Sequence, residues 1–299
     1  MPKRIIFFVL LAIGGISFGS ILVRLTPAPP FASGFWRLVL AGLVLWPFAL
    51  VQWQSFRNLS KRDLTLVLLA GLGLAVHFLT WMTSLFMTTV SSSTVLVNTQ
   101  VLFVALGEWL FLKQRYSPLF FLSMFLALGG VFLMGGADLS FSSSTALWGD
   151  LLALAGGLAA AVYFYLGGIL RDRIPLAIYG ALVYSFGALF MGIALLIQQG
   201  LPGFFDYPPI TWLWFVLLAL VPQIIGHTLL NYLLAQVQPV FITLAVLGEP
   251  IGATLWAFLL FAEKPPGLAL VGGLLILVAL VIVPKKGLLK VKIEPSVVH

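Results

Sequence analysis

Residues 239–262 read PVFITLAVLGEPIGATLWAFLLFA, an apolar stretch of 24 residues in which Glu249 is the one charged side chain. A helix that crosses a bilayer needs about 20 mostly apolar residues, so this stretch is long enough to span a membrane. Pro250 follows the glutamate directly and lacks the backbone N–H of a regular helix. The stretch therefore predicts a membrane helix that is kinked beside a carboxylate near mid-membrane.

The composition of the whole chain agrees with this prediction. Of the 299 residues, 61% are hydrophobic and 8% are charged, whereas soluble domains carry about 25% charged residues. The net charge of +7 comes from short Lys and Arg clusters between apolar runs, and these form no basic face that would bind nucleic acid. The composition excludes a water-soluble enzyme or a nucleic-acid-binding protein. The absence of cysteine excludes disulfides, thiolate metal sites and thiol nucleophiles.

Ten apolar runs of spanning length follow one another along the chain. They are long and apolar on all sides, unlike the short alternating strands of a β-barrel, so we predict an all-α integral membrane protein. The predicted helices cover residues 5–23, 33–53, 64–86, 91–112, 118–136, 147–168, 175–198, 211–234, 239–262 and 266–284.

The distribution of Lys and Arg predicts the orientation. With the N-terminus inside, thirteen of the sixteen basic residues fall in cytoplasmic segments, and only Arg24 and Lys264 fall outside. Arg37 lies within a helix. Because positively charged loops are retained in the cytoplasm, both termini are expected there. The protein itself is expected in the inner (plasma) membrane of the cell. The basic tail 285–299 is expected to contact anionic lipid headgroups.

The two halves of the chain form an internal repeat. Residues 64–136 overlay on residues 214–286 at an offset of 150, which pairs His77 with His227, and each half contains five helices. Since five is odd, the second copy must enter the membrane in the opposite orientation. The sequence therefore predicts two inverted five-helix repeats, an arrangement typical of transporters that expose one central site alternately to each side.

Two segments carry a resemblance to a known family. Leu247-Gly248-Glu249-Pro250, followed by Glu263-Lys264 and Gly272-Gly273, is similar to the helix nine to helix ten pattern of the drug/metabolite transporter superfamily in its ten-helix form with two EamA domains. Trp36-Arg37-Leu38-Val39-Leu40-Ala41 resembles the Arg-containing second helix of that family. The first half departs from the pattern at Gln100, where the family often has Pro.

The resemblance implies a domain organisation and a function. Residues 5–136 and 147–284 would be the first and the second, inverted, EamA-like repeat. The protein would be a non-enzymatic secondary transporter that exports a small organic metabolite, with amino acids, especially hydrophobic or aromatic ones, as the favoured substrates. Its partners would be this small molecule and the lipid bilayer. The resemblance is compatible with either a monomer or a homo-oligomer. The sequence has no phosphate-binding loop and no metal-ligand cluster, so neither a cofactor nor a metal is expected.

Charged or titratable groups in membrane spans are energetically costly and thus indicate function. Glu249 could contact an ammonium group or carry a proton, with Pro250 as the hinge, and Arg37 offers a two-pronged donor for a carboxylate. His77 and His227 could contact substrate or serve proton coupling. Glu108 is interpreted as an interfacial residue that pairs with nearby Lys113 or Arg115.

Further polar and aromatic side chains complete the predicted substrate site. Such a lining suits an organic solute with an apolar part and a few polar groups. These additional candidates are Trp81, Asn98, Gln100, Tyr163, Tyr184 and Asn231.

Two other functions remain open at this point. A membrane-embedded enzyme would need a nucleophile near a base, for which only Ser17 and distant histidines are available. A lipid-carrier flippase, which belongs to the same superfamily, would need a lateral opening for an acyl chain.

Overall fold

The computed structural model describes residues 2–135, 143–262, 264–284 and 287–290. Within these ranges the chain is almost entirely helical, which confirms the predicted all-α membrane fold. Eight of the described helices are long and apolar enough to cross a membrane, and two shorter apolar helices, 118–134 and 267–282, complete the predicted ten. Glu263 of the family motif and most of the basic tail 285–299 lie outside the described residues.

We number the ten membrane segments α1 to α10. Four of them consist of consecutive helical pieces. The bounds are Lys3–Ile16 and Gly19–Leu25 for α1, Pro30–Val51 for α2, Lys61–Ser84 for α3, Val90–Val97 and Gln100–Leu112 for α4, Pro118–Gly135 for α5, Ser144–Leu170 for α6, Leu176–Gln199 for α7, Pro209–Leu218, Ala219–Thr228 and Leu229–Leu233 for α8, Pro239–Val246 and Glu249–Phe261 for α9, and Gly267–Ile282 for α10. Two short helices, Trp53–Arg57 and Pro202–Phe205, lie between segments.

The starts of the segments follow from local sequence. Pro30, Pro209 and Pro239 are the first residues of α2, α8 and α9, where the missing N–H of proline costs no helical hydrogen bond. Before α3, the Ser60 hydroxyl accepts from the Asp63 amide at 3.1 Å, and the Asp63 carboxylate accepts from the Ser60 amide at 3.2 Å. This reciprocal capping satisfies two of the unpaired donors at the start of α3.

Four segments are irregular where the sequence predicted continuous or merely kinked helices. Helix α1 is interrupted at Ser17 and Phe18, α4 at Asn98 and Thr99, and α9 at Leu247 and Gly248, while residues 219–228 of α8 form a π-helix. The prediction of continuous helices in α1, α4 and α8 was wrong because hydropathy describes side chains and carries little information about backbone hydrogen bonds.

The packing of the ten segments is nearly unchanged when each is exchanged with the one five places along. Helix α3 packs on α6 as α8 packs on α1, and α7 contacts α3 as α2 contacts α8. The pairs α2 with α7, α4 with α9 and α5 with α10 map onto themselves. Corresponding contacts in the two halves are the packing pattern expected of a two-repeat membrane fold.

The closest packing in the α5–α10 pair occurs at two glycines. A Cβ atom added to Gly130 would lie 2.5 Å from the Gly272 carbonyl oxygen and 2.7 Å from Cγ1 of Ile276. By contrast, a Cβ added to neighbouring Gly129 would meet nothing within 4 Å. Small residues allow the backbones of two membrane helices to approach closely. The contact with α10 therefore leaves no room for a side chain at position 130.

Polar contacts join the ends of several segments on the side where the first helix begins. Arg173 pairs with Asp63 at 2.8 Å, and Lys290 pairs with Asp172 at 2.7 Å. Leu289 and Val237 form an antiparallel bridge, which holds the segment after α10 against the α8–α9 connection. The described residues 287–290 of the predicted tail are therefore part of the folded protein.

We predict that Gly130→Ala weakens the fold while Gly129→Ala does not. The added methyl group at position 130 forces the α5 and α10 backbones apart and lowers the free energy of unfolding by about 1–3 kcal/mol. Unfolding of the two purified variants in detergent measures this difference, and equal stability would contradict the packing of α5 on α10.

The orientation can be tested with single cysteines because the natural chain has none. Asn58, between α2 and α3, and Asp206, between α7 and α8, are both exposed and lie at opposite ends of the helix bundle. We expect Asn58→Cys to react with an impermeant maleimide only after cell lysis, and Asp206→Cys to react in intact spheroplasts. The reverse pattern would overturn the predicted orientation.

Candidate functional site

An internal cavity lies where the irregular segments meet. Its wall combines side chains and backbone from both repeats. The lining residues are Ile16, Gly19, Arg37, His77, Trp81, Val97, Gln100, Phe164, His227, Leu230, Val246 and Glu249.

Residues on both sides of each helix break face this cavity. The break in α1 contributes Ile16 and Gly19, and the break in α4 contributes Val97 and Gln100. The α9 break contributes Glu249 and the residue that ends the first half-helix. Interrupted backbone at membrane depth is tolerated where it is buried in protein or lines a cavity, so the breaks and the site form one structural unit.

The cavity is nearly closed in this conformation. The volume open to water-sized spheres is about 30 Å³, whereas one water needs at least about 10–15 Å³ measured in this way. The space therefore holds one or two waters, and an organic solute enters only after the surrounding helices move.

Arg37 is the most unusual group in the wall. Its side chain is 1% exposed, its Nε donates to Gln223 Oε1 at 2.6 Å, and its guanidinium lies 4.1 Å from the centre of the Phe78 ring. Among the described residues, neither an ion-pair partner within 4.0 Å nor a hydrogen-bond acceptor for Nη1 is present. Because buried charges in proteins are usually paired, this cation is available to an anionic group in the cavity.

The two pseudo-equivalent histidines lie together. Their ring centres are 6.3 Å apart, and His77 stacks on Trp81 at 5.8 Å with the ring planes 6° apart. The Nδ1 atom of His77 lies 3.0 Å from the Gly156 carbonyl oxygen. A carbonyl only accepts, so Nδ1 carries the proton, and Nε2 of the neutral ring is an acceptor. His227 Nδ1 is buried without a partner in the described part of the chain.

Glu249 begins the second half-helix of α9, and Pro250 is the second residue of that half-helix. A carboxylate at a helix N-terminus is stabilised by the helix dipole. The expected interruption beside Glu249 is therefore present, although it precedes the proline.

The Ser17 hydroxyl lies 2.6 Å from the Ile13 oxygen and 3.0 Å from the Glu249 backbone oxygen. It is thus bound to backbone and makes no hydrogen bond to a histidine in the described ranges.

Six of the ten predicted binding residues line the cavity, namely Arg37, His77, Trp81, Gln100, His227 and Glu249. The other four lie outside the lining.

These four residues are all buried. The Tyr163 hydroxyl donates to Asn231 Oδ1 at 2.8 Å, and Tyr184 bonds to the Thr228 hydroxyl at 2.8 Å. The Asn98 side-chain amide donates to its own helix, at the α4 break. Of these residues, Tyr163 contacts the lining directly, with its ring centre 6.0 Å from that of His227.

Several buried polar atoms around the cavity have no hydrogen-bond partner among the described residues. Such atoms are rare in proteins, and each needs an explanation. Most of them are donors. They are Arg37 Nη1, Trp81 Nε1, Gln100 Oε1, Gln223 Nε2, His227 Nδ1 and Asn231 Nδ2.

Glu108 lies away from this cavity and does not form the expected ion pair. It is fully buried and accepts hydrogen bonds from the Tyr116 hydroxyl and, at 3.2 Å, from the Val240 amide. These contacts tie the end of α4 to the start of α9. Burial beside this carboxylate raises the pKa of the Tyr116 phenol, so the phenol stays a donor. Lys113 and Arg115 make no ion pair with it in the described structure, and both side chains are exposed.

Gln223 and Asp150 are among the buried polar residues that sequence reasoning missed. Gln223 is fully buried beside Arg37. Asp150, which is 6% exposed, accepts from Thr88 and Ser92 at 2.8 and 2.6 Å and thus joins α6 to the start of α4. A search for every polar residue inside an apolar run would have found both.

The fold and cavity together define a class of protein: a polytopic helical membrane protein in which interrupted helices surround a buried polar site, as in transporters. The chain belongs to the EamA-like transporter family, whose model matches residues 3–136 and 147–284. The family predicted from Glu249 and its neighbours is thereby confirmed.

Known relatives agree with this assignment. The chain is 27% identical over 264 residues to an uncharacterized transporter of Archaeoglobus fulgidus, covering 87% of this chain and 89% of the relative. It is 27% identical over 188 residues to solute carrier family 35 member F2 of Mus musculus, covering 58% of this chain and 48% of the relative. One crystal structure shares the fold at a TM-score of 0.76 and 16% identity, over 95% of this chain and 98% of that chain. The protein is therefore a multi-pass membrane transporter.

We predict that the Arg37–Gln223 pair contributes little net stability. Replacing both partners with methionine removes a buried cation together with its acceptor, and such paired replacements are nearly neutral or stabilising. Arg37→Met alone leaves the Gln223 oxygen unpaired and costs about 1–3 kcal/mol.

Unfolding in detergent tests this order, with the double variant at least as stable as wild type and the single variant below it. Arg24→Met is the matched comparison, because it shows the effect of losing an arginine that makes a structural hydrogen bond. Arg24 donates to the Leu85 carbonyl at the end of α3 at 2.6 Å, so its loss destabilises the protein. A double variant less stable than Arg37→Met would show that the pair is structural.

Proposed function

We propose that this transporter is a secondary exporter of small amino acid-like metabolites, with hydrophobic or aromatic amino acids favoured. The observation that carries the proposal is that a guanidinium, Arg37, and a carboxyl group, Glu249, lie on one cavity wall. No ion pair joins them within 4.0 Å in the described structure. An amino acid supplies the two complementary charges, a carboxylate and an ammonium, a short distance apart.

The remaining wall suits the rest of such a solute. Trp81 and Phe164 offer apolar surface for a hydrophobic or aromatic side chain. The Nε2 atom of neutral His77 is an acceptor for an ammonium, whereas Trp81 Nε1 is an unpartnered donor for a carboxylate oxygen. Donors and acceptors are thus available for both ends of an amino acid.

Transport by alternating access follows from the proposed site. The cavity is too small for an amino acid in this conformation, so the solute binds when helices on one side separate and leaves when they separate on the other. The half-helices of α4 and α9 meet at the cavity, and hinges of this kind permit such movement. We place the protein in the inner (plasma) membrane with both termini in the cytoplasm, with outward flux under a solute gradient.

Counterflow in proteoliposomes tests the proposal. Vesicles are preloaded with unlabelled phenylalanine or threonine, and entry of the labelled compound is followed for wild type and Glu249→Gln. We expect internal amino acid to accelerate entry in wild type. Glu249→Gln should lower kcat/KM about tenfold or more, because it removes a charge-assisted hydrogen bond to the ammonium.

Asp206→Asn is the matched control, since it removes a carboxylate at an exposed position, and it should transport as wild type does. Uptake without any effect of Glu249→Gln would retain the carrier and reject the role of this carboxylate. Absence of exchange for every amino acid would reject the substrate class, and headgroup-labelled lipids would then test a flippase.

A further inference from the structure

Gln223 is the one side chain that hydrogen-bonds to Arg37 in the described structure. The two residues come from α2 and α8, which belong to different repeats, and their contact is 2.6 Å long. Gln223 is 0% exposed and Arg37 is 1% exposed. Their hydrogen bond is therefore shielded from water, where contacts to a charged group are strongest.

The chemistry of arginine fixes the orientation of the Gln223 amide. A guanidinium has donors only, so the atom that faces Arg37 Nε must be the amide oxygen. The amide nitrogen then points away from Nε and is a second buried donor without a partner in the described residues, beside the unpartnered Nη1 of Arg37. The pair thus presents unsatisfied donors and contains no anionic group that would neutralise the guanidinium.

A glutamine orients the guanidinium without neutralising it. Glutamine and glutamate have nearly the same shape, but only glutamate would form an internal ion pair with Arg37. The other close contact of the guanidinium, the Phe78 ring at 4.1 Å, also orients a cation without cancelling its charge. Two neutral groups therefore hold Arg37 while its full positive charge stays available to the cavity.

The two repeats differ at this position. The offset of 150 residues places Gln223 opposite Gly73 of α3, where a Cβ would lie 3.1 Å from the Ala159 carbonyl oxygen. Gln223 instead lies in the π-helical part of α8, 219–228. π-Helical turns are rare and occur frequently at functional sites. The glutamine and its irregular helix are thus present in one half only, as is Arg37.

We infer that Gln223 is a positioning residue that sets the charge selectivity of the cavity, because it keeps Arg37 both oriented and uncompensated for a carboxylate of the solute. The inference rests on the proposed amino acid function for the identity of the solute. It assigns the preference for a carboxylate to the Arg37–Gln223 pair as a unit.

The test measures ligand binding, which needs no transport. Three probes share a phenyl ring and differ in charge: phenylalanine, 2-phenylethylamine without the carboxylate, and 3-phenylpropanoate without the ammonium. Their dissociation constants are obtained from ligand-dependent thermal shifts of the purified protein in detergent. We expect wild type to bind phenylalanine and 3-phenylpropanoate more tightly than 2-phenylethylamine.

Gln223→Glu should reverse this order. The new carboxylate pairs with Arg37, so the affinity for both carboxylate probes falls about tenfold or more, and 2-phenylethylamine binds as tightly as before or more tightly. Gln198→Glu, the same change at an exposed position of α7, should leave all three affinities unchanged. A general loss of packing would weaken all three probes together and would contradict the inference.

Gln223→Met is a second test, which does not require the protein to fold around a buried carboxylate. It preserves volume and removes the hydrogen bond to Nε, so the affinity for 3-phenylpropanoate should fall about tenfold without a gain for 2-phenylethylamine. Unchanged affinity for 3-phenylpropanoate in this variant would overturn the inference. If the wild type selects the carboxylate probes but exchanges no amino acid in vesicles, the proposed function fails and the role of Gln223 stands.

Discussion

The structure depends on one constraint: inside a bilayer, every backbone N–H and C=O group must be satisfied by the protein or by enclosed water. A straight helix meets this constraint alone, but a broken helix needs neighbours around its free ends. The breaks in α1, α4 and α9 and the π-helix in α8 all adjoin one cavity, where other helices shield them from lipid. The position of the site is therefore set by where irregular backbone can be buried.

An asymmetric site lies inside a nearly symmetric fold. The packing of the segments is retained when the repeats are exchanged, and the two histidines come from corresponding positions. Arg37, Gln223 and the π-helix occur in one half only. In the proposed transport cycle, the symmetric frame would give two equivalent ways for the helices to separate, and the charge of Arg37 would orient the solute. The buried donors around Arg37 lie on this asymmetric side of the fold, and the proposed binding of a carboxylate would satisfy them.

The sequence predicted the number of helices and the family, because hydropathy and the motif around Glu249 are carried by runs of many residues. It also identified six cavity residues, since a charged or polar group in an apolar run is informative by itself. It missed the breaks at Ser17 and Asn98, because hydropathy averaged over an apolar run carries little information about the backbone hydrogen bonds of single residues. The Arg37–Gln223 contact joins residues 186 positions apart, and only the three-dimensional packing brings them together.

The way the repeats pack has a consequence for the origin and the division of the chain. Helix α5, the last of the first half, packs along α10, the last of the second, and α2, α3 and α4 likewise pack on partners from the other half. Neither half could bury its own small-residue faces alone. An ancestral gene for one five-helix unit would have needed two copies in opposite orientation in one membrane. A gene divided within residues 136–143 today would give two fragments that must be inserted together and find each other before either is folded.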